Sequence, residues 1–402
     1  MIFMKLKTLK EIKNLKGKKV LVRVDFNVPL KKSGAKIVVA DDTRIRAALP
    51  TIKYLLGQGA KVILMSHLGD PGGKIKMNLS LKPVGATLTK ILKMKGSAPT
   101  DWVGKKGLGK IDAMKTGEVM MLENLRFHPG EEKNDPKFAA GLASLADIYV
   151  NDAFAAAHRA HASIVGVPKF LPSYAGLLME KEMNVLSGLL TKPKRPFVAL
   201  IGGAKISTKI SVIENLLKKV NSLLLGGALV NNFLAAAGYG IGASVYEPKE
   251  LKTAKKLLKN KKIILPADFV VGDFKGKKAW VVEVPKKKIA LCKKPYAILD
   301  IGPETIKKYA EFIRKAETIV WNGPMGYFEI KKYSHGSVAL GRLIAARSRG
   351  KVFGVVGGGE TIEAVGKTGM AEYIDHISTG GGAMLEFLEG KILPGIKVLL
   401  KK

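Results

Sequence analysis

Nine short apolar runs recur along the chain: KVLVRVDF (19–26), KVILMSHL (61–68), EVMMLENL (118–125), DIYVNDAF (147–154), FVALIGGA (197–204), SLLLGGAL (222–229), KIILPADF (262–269), TIVWNGPM (318–325) and VFGVVGGG (352–359). They are continuous rather than alternating, and rich in Val, Ile and Leu. Such runs suit strands buried on both faces. Helical stretches, such as Lys209 to Lys219, lie between many of them. Strands alternating with helices predict an α/β protein built on parallel sheets with helices on both sides.

The length of 402 residues gives a prior of two or three domains at about 150 residues each. A boundary is expected at 181–196, where the helical pattern EKEMNVLSGLL gives way to TKPKRP, with two prolines and three cations. The expected fold is therefore two doubly wound, Rossmann-like parallel-sheet domains joined by a hinge helix, with the first over 1–180 and the second over 197–386. No apolar run approaches the roughly 18 residues of a membrane span. The stretch MIFMKLKTLKEIKNLKGKK lacks the apolar centre of a signal peptide. The single cysteine, Cys292, cannot pair within the chain, and a cytoplasmic protein is expected.

The net charge is +35, from 68 Lys+Arg against 33 Asp+Glu. A basic face is the usual footprint of phosphate-backbone binding, so a nucleic-acid-binding protein is the alternative class to weigh. The lysines are scattered, as at Lys255, Lys256, Lys261, Lys262 and Lys286 to Lys288. Aromatics make up only 7%, with no interleaved aromatic and basic stripe to stack bases. Weak, nonspecific and salt-sensitive contact with nucleic acid is the expectation, together with attraction of anionic substrates.

Ligands of open parallel sheets bind beyond the carboxyl ends of the strands. In the first half those ends are polar and cationic. They present Asp25 and Asn27, then Ser66 and His67, then Arg126, then Asn151, Asp152, His158, Arg159 and His161, while Arg44 opens the helix after Asp41-Asp42-Thr43. Arginines converging on one edge suit a ligand with several negative oxygens, which guanidinium binds in bidentate fashion. In the second half the ends are glycine-rich: Gly202-Gly203-Ala204-Lys205, Gly226-Gly227, Asn322-Gly323-Pro324, Gly357-Gly358-Gly359-Glu360-Thr361 and Ser378-Thr379-Gly380-Gly381-Gly382. Glycine lets backbone amides approach phosphate, and a following helix adds its positive end. Lys205 and Lys209, four apart, would share one helical face beside such a loop.

Two apparent motifs fail. Gly366-Lys367-Thr368 resembles the end of a Walker A loop, but Thr361 occupies the place of its first glycine. Gly238-Tyr239-Gly240-Ile241-Gly242 lacks the third glycine of a dinucleotide fingerprint in register. An anion site on one domain and a nucleotide site on the other suggest phosphoryl transfer. That reaction needs water exclusion and in-line positioning, which closure at a hinge supplies.

The segments RVDFNVP (23–29), DDTRI (41–45), SHLG (66–69), ENLRF (123–127), VNDAF (150–154), HRAH (158–161), GGAKISTK (202–209), WNGPMGYFE (321–329), GGGET (357–361) and STGGGAMLE (378–386) together resemble the phosphoglycerate kinase family, in the family's order and across the chain. The resemblance implies reversible transfer between ATP and the carboxylate of 3-phosphoglycerate, giving ADP and 1,3-bisphosphoglycerate, with Mg²⁺ carried on the nucleotide. It implies a glycerate site of Asp25, Asn27, Arg44, His67, Arg126 and Arg159. It implies a nucleotide site of Lys209, Gly226, Gly227, Asn322, Glu329 and Gly357 to Thr361, with Glu360 toward the metal. Arg44, Lys205 and the amide of Gly381 are the groups expected to act on the transferring phosphoryl. It further implies a monomer, and a last segment, 387–402, that returns to the first domain. Two positions depart from the family pattern. Asp70 follows SHLG where the family usually has Arg, and Glu360 stands where bacterial and eukaryotic members usually have Asp.

Overall fold

The computed structural model describes residues 5–34, 36–94, 99–102 and 105–401. Met1 to Met4, in the amino-terminal stretch read above, and Lys402 lie outside them. The chain divides into two compact units, 1–185 with 392–402 and 186–391. The expected divisions were 180 and 387. The helix Leu177–Thr191 runs through the first boundary, and the helix Gly381–Leu388 packs in the second unit through Ala383, Met384, Phe387 and Leu388, so the crossing comes later than the motif's end.

The first unit holds a five-stranded parallel sheet. Its strands are β1 (Lys19–Arg23), β2 (Lys61–Met65), β3 (Val119–Met121), β4 (Ile148–Asn151) and β5 (Ser173–Ala175), in the order β3-β2-β1-β4-β5. Val20, Val22, Val62 and Leu64 point to one core and Leu21, Ile63, Met65 and Tyr149 to the other, which explains the unbroken apolar runs. Helix α1 (Thr43–Gly57) covers one face with Ile45, Ala48, Ile52 and Leu55, spaced at three and four residues. The order reverses between β1 and β4, and ligands of doubly wound sheets bind at that crevice.

The second unit repeats the plan with six strands. They are β6 (Phe197–Ile201), β7 (Ser222–Leu225), β8 (Ile263–Ile264), β12 (Thr318–Asn322), β13 (Phe353–Gly357) and β14 (His376–Ser378), in the order β8-β7-β6-β12-β13-β14 and all parallel. The reversal falls between β6 and β12, where Gly202-Gly203 and Asn322-Gly323 stand. The run KIILPADF does not form one strand. Pro266 cannot donate to a ladder, and the chain breaks there. Ile263–Ile264 stays on the parallel sheet, while Asp268–Gly272 (β9) opens a separate antiparallel sheet with Ala279–Glu283 (β10) and Ala297–Ile301 (β11). The parallel expectation missed this sheet, and also a hairpin of Leu30–Ser33 with Lys36–Val39.

Candidate functional site

In the first unit the carboxyl ends of four strands carry a charged cluster. Asp25 accepts the Asn27 N–H at 3.0 Å and forms an ion pair with the Arg44 guanidinium. Burial opposes charge on this carboxyl. Neighbouring cations, with Arg44 in direct contact, and the Asn27 amide outweigh burial and hold it below its ordinary value. Asn27 Oδ1 accepts the Gly69 N–H at 2.9 Å, and Arg126 Nη1 donates to the Gly69 carbonyl at 2.8 Å, so the loop after β2 is tied to the ends of β1 and β3. Arg126 Nε lies 3.1 Å from Glu132. Arg159 is exposed, and its charge acts on both Arg126 and His67. Six residues read from the sequence thus share one rim.

Three other strand-end residues serve the fold. Asp152, wholly buried, accepts the Leu178 and Met179 N–H groups at 2.9 and 3.2 Å and caps α2 (Leu177–Thr191). Burial lifts its carboxyl to about 7. Asn151 accepts the Ala153 N–H at 3.1 Å and is fully buried. His161 sits 3.9 Å from Glu131, and burial, then Arg126 and Arg159, push its ring down to about 4.

Sequence reasoning passed over Arg23. It closes β1 and is 1% exposed. Its Nε donates to Ser163 Oγ at 2.8 Å, its Nη1 to the Val24 carbonyl, and its Nη2 lies 3.1 Å from His67 Nδ1. Glu131, also fully buried, accepts from Ser163 N at 2.9 Å and from Ser163 Oγ at 2.6 Å. The available signal was a charged residue ending an otherwise apolar buried strand, which requires a partner.

In the second unit two adjoining cavities of about 470 and 320 Å³ share Gly203, Ala204 and Glu360. The larger is lined by Lys205, Lys209, Asn322, Gly358, Gly359, Thr361 and Gly381 among others. The other is largely apolar, with Val245, Phe274, Leu299 and Tyr327 beside Gly227 and Glu329. Two helices, α5 (Gly359–Gly366) and α6 (Gly381–Leu388), begin at the first cavity with their free N–H groups.

Lys205 and Lys209 both line this cavity, but not by sharing a helix. Helix α3 (Ile210–Leu217) starts after them, and both sit in the turn that follows β6. Lys209 donates to Asn322 Oδ1, and Asn322 Nδ2 donates to the Gly357 carbonyl at 2.8 Å. Asn322 therefore orients the lysine. Thr361 Oγ1 is likewise occupied, accepting the Gly323 N–H at 2.7 Å. Two expected glycines lie behind the lining. A Cβ at Gly226 would meet Met325 Sδ at 2.5 Å, and one at Gly357 would meet Met384 Sδ at 2.0 Å, so packing demands both. The apolar lining was not anticipated, because Val245 and Phe274 come from loops with no motif, and Tyr327 lies among the glycines of WNGPMGYFE, whose polar members drew the reading.

Burial lowers the Lys209 ammonium to about 8, against the pull of Glu360 and Glu389. A bound phosphate needs the charged form. Its fraction falls from about nine-tenths at pH 7 to about one-tenth at pH 9, so the KM for nucleotide should rise by up to about tenfold over that interval. Lys209→Arg, which stays charged, should flatten the profile. A wild-type KM that is level from pH 7 to 9 would remove Lys209 from phosphate binding.

Two doubly wound units, one rimmed by cations and the other by glycines around two adjoining cavities, define a two-domain α/β protein with strand ends suited to anions. The comparisons specify which. The model of the family "Phosphoglycerate kinase" matches residues 9–391. The phosphoglycerate kinase of Moorella thermoacetica is 52% identical over 98% of this chain and 99% of its own. That of Pelotomaculum thermopropionicum is 48% identical over the same shares. Among solved structures, phosphoglycerate kinase from Coxiella burnetii superposes with a TM-score of 0.84 at 40% identity, over 98% of this chain and 99% of that one. The enzyme from Pyrococcus horikoshii gives 0.84 at 34%, over 98% of each. The chain belongs to the phosphoglycerate kinase family.

Proposed function

We infer that the chain catalyses reversible phosphoryl transfer between ATP and the carboxylate of 3-phosphoglycerate, and that the first unit holds the glycerate while the second holds the nucleotide. The observation that carries this division is chemical asymmetry: an arginine rim on one sheet, and a glycine-lined polar cavity opening into an apolar one on the other. The apolar cavity, with Phe274, Leu299 and Tyr327, suits a purine, and Glu329 at its edge is an acceptor for ribose hydroxyls. The polar cavity suits the phosphates, which Lys205, Lys209 and the amides of Gly358, Gly359 and Gly381 would contact. Arg126, Arg159 and His67 would take the glycerate phosphate, and Asp25, Asn27 and Arg44 its other oxygens.

The attacking group is a carboxylate, already ionised at pH 7, so no general base is required. Positioning and charge stabilisation do the work. Arg44 and Lys205 are assigned to the transferring group, and movement about α2 and 192–196 to bringing the substrates together and excluding water. Separate calorimetric titrations test the division. Arg126→Met should weaken 3-phosphoglycerate binding at least tenfold and leave ADP binding unchanged, and Lys209→Met the reverse. Loss of both ligands in both variants would defeat it.

Mg²⁺ fits as a passenger of the nucleotide. Among the described residues no cluster of three or more His, Cys, Asp or Glu forms a cage, and Glu360, exposed at the start of α5, is the one carboxylate lining both cavities beside the glycines. When bound, the ion neutralises charge on the phosphates. Glu360→Gln should raise the Mg²⁺ concentration for half-maximal rate severalfold, and Glu360→Asp should not. An unchanged Mg²⁺ requirement in Glu360→Gln would leave the residue only its helix-terminal role.

Asp70 is exposed in a loop where Gly69, Gly72 and Gly73 all take positive φ, and its charge acts on Arg126 from outside. Lys74 and Lys76, exposed on the same loop, are proposed to offset it. Asp70→Arg should lower the KM for 3-phosphoglycerate and leave that for ATP in place; equal KM values would show that position 70 does not act on the phosphate.

The proposed working state is a cytoplasmic monomer with no dedicated nucleic-acid partner. The metabolite substrates and the lone, buried Cys292 support the location. The scatter of lysines supports the absence of a dedicated polyanion site.

A further inference from the structure

The rim reading leaves one question of chemistry: which proton His67 carries. An imidazole beside three arginines could present a lone pair or an N–H to the bound anion, and only the N–H is useful. The neighbours decide between them. Arginine has five donors and no acceptor, so Arg23 Nη2, 3.1 Å from His67 Nδ1, must be donating. The Nδ1 position is then a lone pair, and in the neutral ring the proton is on Nε2. Nε2 has no protein partner among the described residues, so its N–H is open to ligand.

Arg23 itself is not open to ligand. It is 1% exposed, and two further donors are committed to Ser163 Oγ at 2.8 Å and the Val24 carbonyl. Behind it, Ser163 Oγ donates to Glu131 Oε1 at 2.6 Å, and the Ser163 N–H donates to Glu131 Oε2 at 2.9 Å. The Tyr149 hydroxyl donates to the Ser163 carbonyl at 2.8 Å and anchors the same segment. A buried cation is costly unless an anion balances it, and Glu131 does so through a single hydroxyl. The result is a chain of contacts whose directions are all fixed: Arg23 donates to Ser163, Ser163 to Glu131, and Arg23 to His67.

We propose that Arg23 is a positioning residue for the transfer reaction, held by Ser163 and Glu131, and that it fixes His67 as the neutral Nε2–H tautomer so that the ring presents one N–H donor to the glycerate. The electrostatic setting agrees. Burial, and then the charges of Arg23, Arg126 and Arg159, push the His67 ring well below the ordinary imidazole value, while Asp25 pulls the other way. These four groups come from the ends of β1, β3 and β4 and are the charged groups acting on the ring. A neutral donor has a functional advantage: glycerate affinity does not fall away as pH rises through the ordinary imidazole range.

The assignment rests on the glycerate reading of the rim, and its test is separable from that reading. Nitrogen-15 NMR of the histidine rings in the wild-type enzyme reads the tautomer directly. His67 should show an unprotonated Nδ1 and a protonated Nε2, unchanged from pH 5.5 to 8. A protonated Nδ1, or a ring that titrates near 6.5, would overturn the proposal without any variant. The paired substitution Arg23→Met with Glu131→Gln removes both buried charges and so avoids stranding one. In that enzyme Nδ1 has lost its donor, so the tautomer should no longer be fixed and an Nδ1–H population should appear. The KM for 3-phosphoglycerate should rise severalfold as the Nε2–H is lost, with the KM for ATP constant. A KM that rises with the His67 tautomer intact would mean that Arg23 only supports the fold. His67→Ala examines the underlying reading: an unchanged KM there would remove His67 from the glycerate site, whatever the NMR shows of its tautomer.

Discussion

Lys205→Ala and Arg44→Ala should each lower turnover by about 10³-fold, with folding little changed in Lys205→Ala. The size follows from the reaction. Charge on a transferring phosphoryl group is spread over its oxygens, and loss of one well-placed cation costs about 10³ to 10⁵ in comparable transfers. The small effect on folding follows from position, since Lys205 is exposed where it lines the polar cavity. Arg44 is partly exposed, but its partner Asp25 is largely buried, so Arg44→Ala should also lower stability, by up to about 3–5 kcal/mol. The kinetic pattern should differ between residues that bind and residues that stabilise the transition state. For Lys205 and Arg44, kcat should fall as far as kcat/KM; for Arg126, KM should carry most of the change. Turnover within about tenfold of wild type in either alanine variant would remove that residue from the assignment.

Gly323→Ala should be severe for a different reason. Gly323 follows β12 at the point where the strand order reverses. Its φ is +91°, and a Cβ there would lie 2.1 Å from the Gly202 carbonyl oxygen, at the end of β6. The obstacle is backbone, which cannot swing aside as a side chain would. Left-handed strain of about 1–2 kcal/mol and overpacking of about 1–3 kcal/mol predict a loss of about 2–5 kcal/mol. For a unit near 200 residues that is a fall of roughly 5–15 °C in Tm. Nucleotide affinity should fall with it, because Gly203, Asn322 and Gly323 all line the polar cavity proposed to hold the phosphates. Gly359→Ala is the control. That glycine has open space around its Cβ position and ordinary φ, and should stay within about 1 kcal/mol. A Gly323→Ala enzyme as stable as wild type would show that the switch-point turns tolerate separation.

The sheets were legible because burial on both faces writes itself into sequence as unbroken Val, Ile and Leu. The strand-end chemistry was legible for the same reason that Asp25, His67, Arg126 and Lys205 are polar where the runs stop. What stayed hidden depends on contacts that local pattern does not carry. The antiparallel sheet was obscured because β10 is exposed along nearly its whole length and lies among lysines, so it has no core-facing signature of its own. Gly226 and Gly357 looked like phosphate cradles, yet Met325 and Met384, distant in sequence, are what require glycine there. Asn151 and Asp152 looked like part of the cationic rim, and become interior because β4 leads directly toward the start of α2. Arg23 was concealed by its place inside a motif whose more exposed members drew the functional reading.

The central claim is transfer of the γ-phosphoryl group of ATP to the carboxylate of 3-phosphoglycerate. Incubating the full chain with Mg-ATP carrying labelled γ-phosphate and 3-phosphoglycerate, and trapping the product with hydroxylamine, measures it directly. Labelled inorganic phosphate released from the acyl phosphate should appear together with an equal amount of unlabelled 3-phosphoglyceryl hydroxamate, both dependent on 3-phosphoglycerate and both formed about 10³-fold more slowly in Lys205→Ala. Labelled phosphate appearing at the same rate without 3-phosphoglycerate, or no hydroxamate at any substrate concentration, would contradict it.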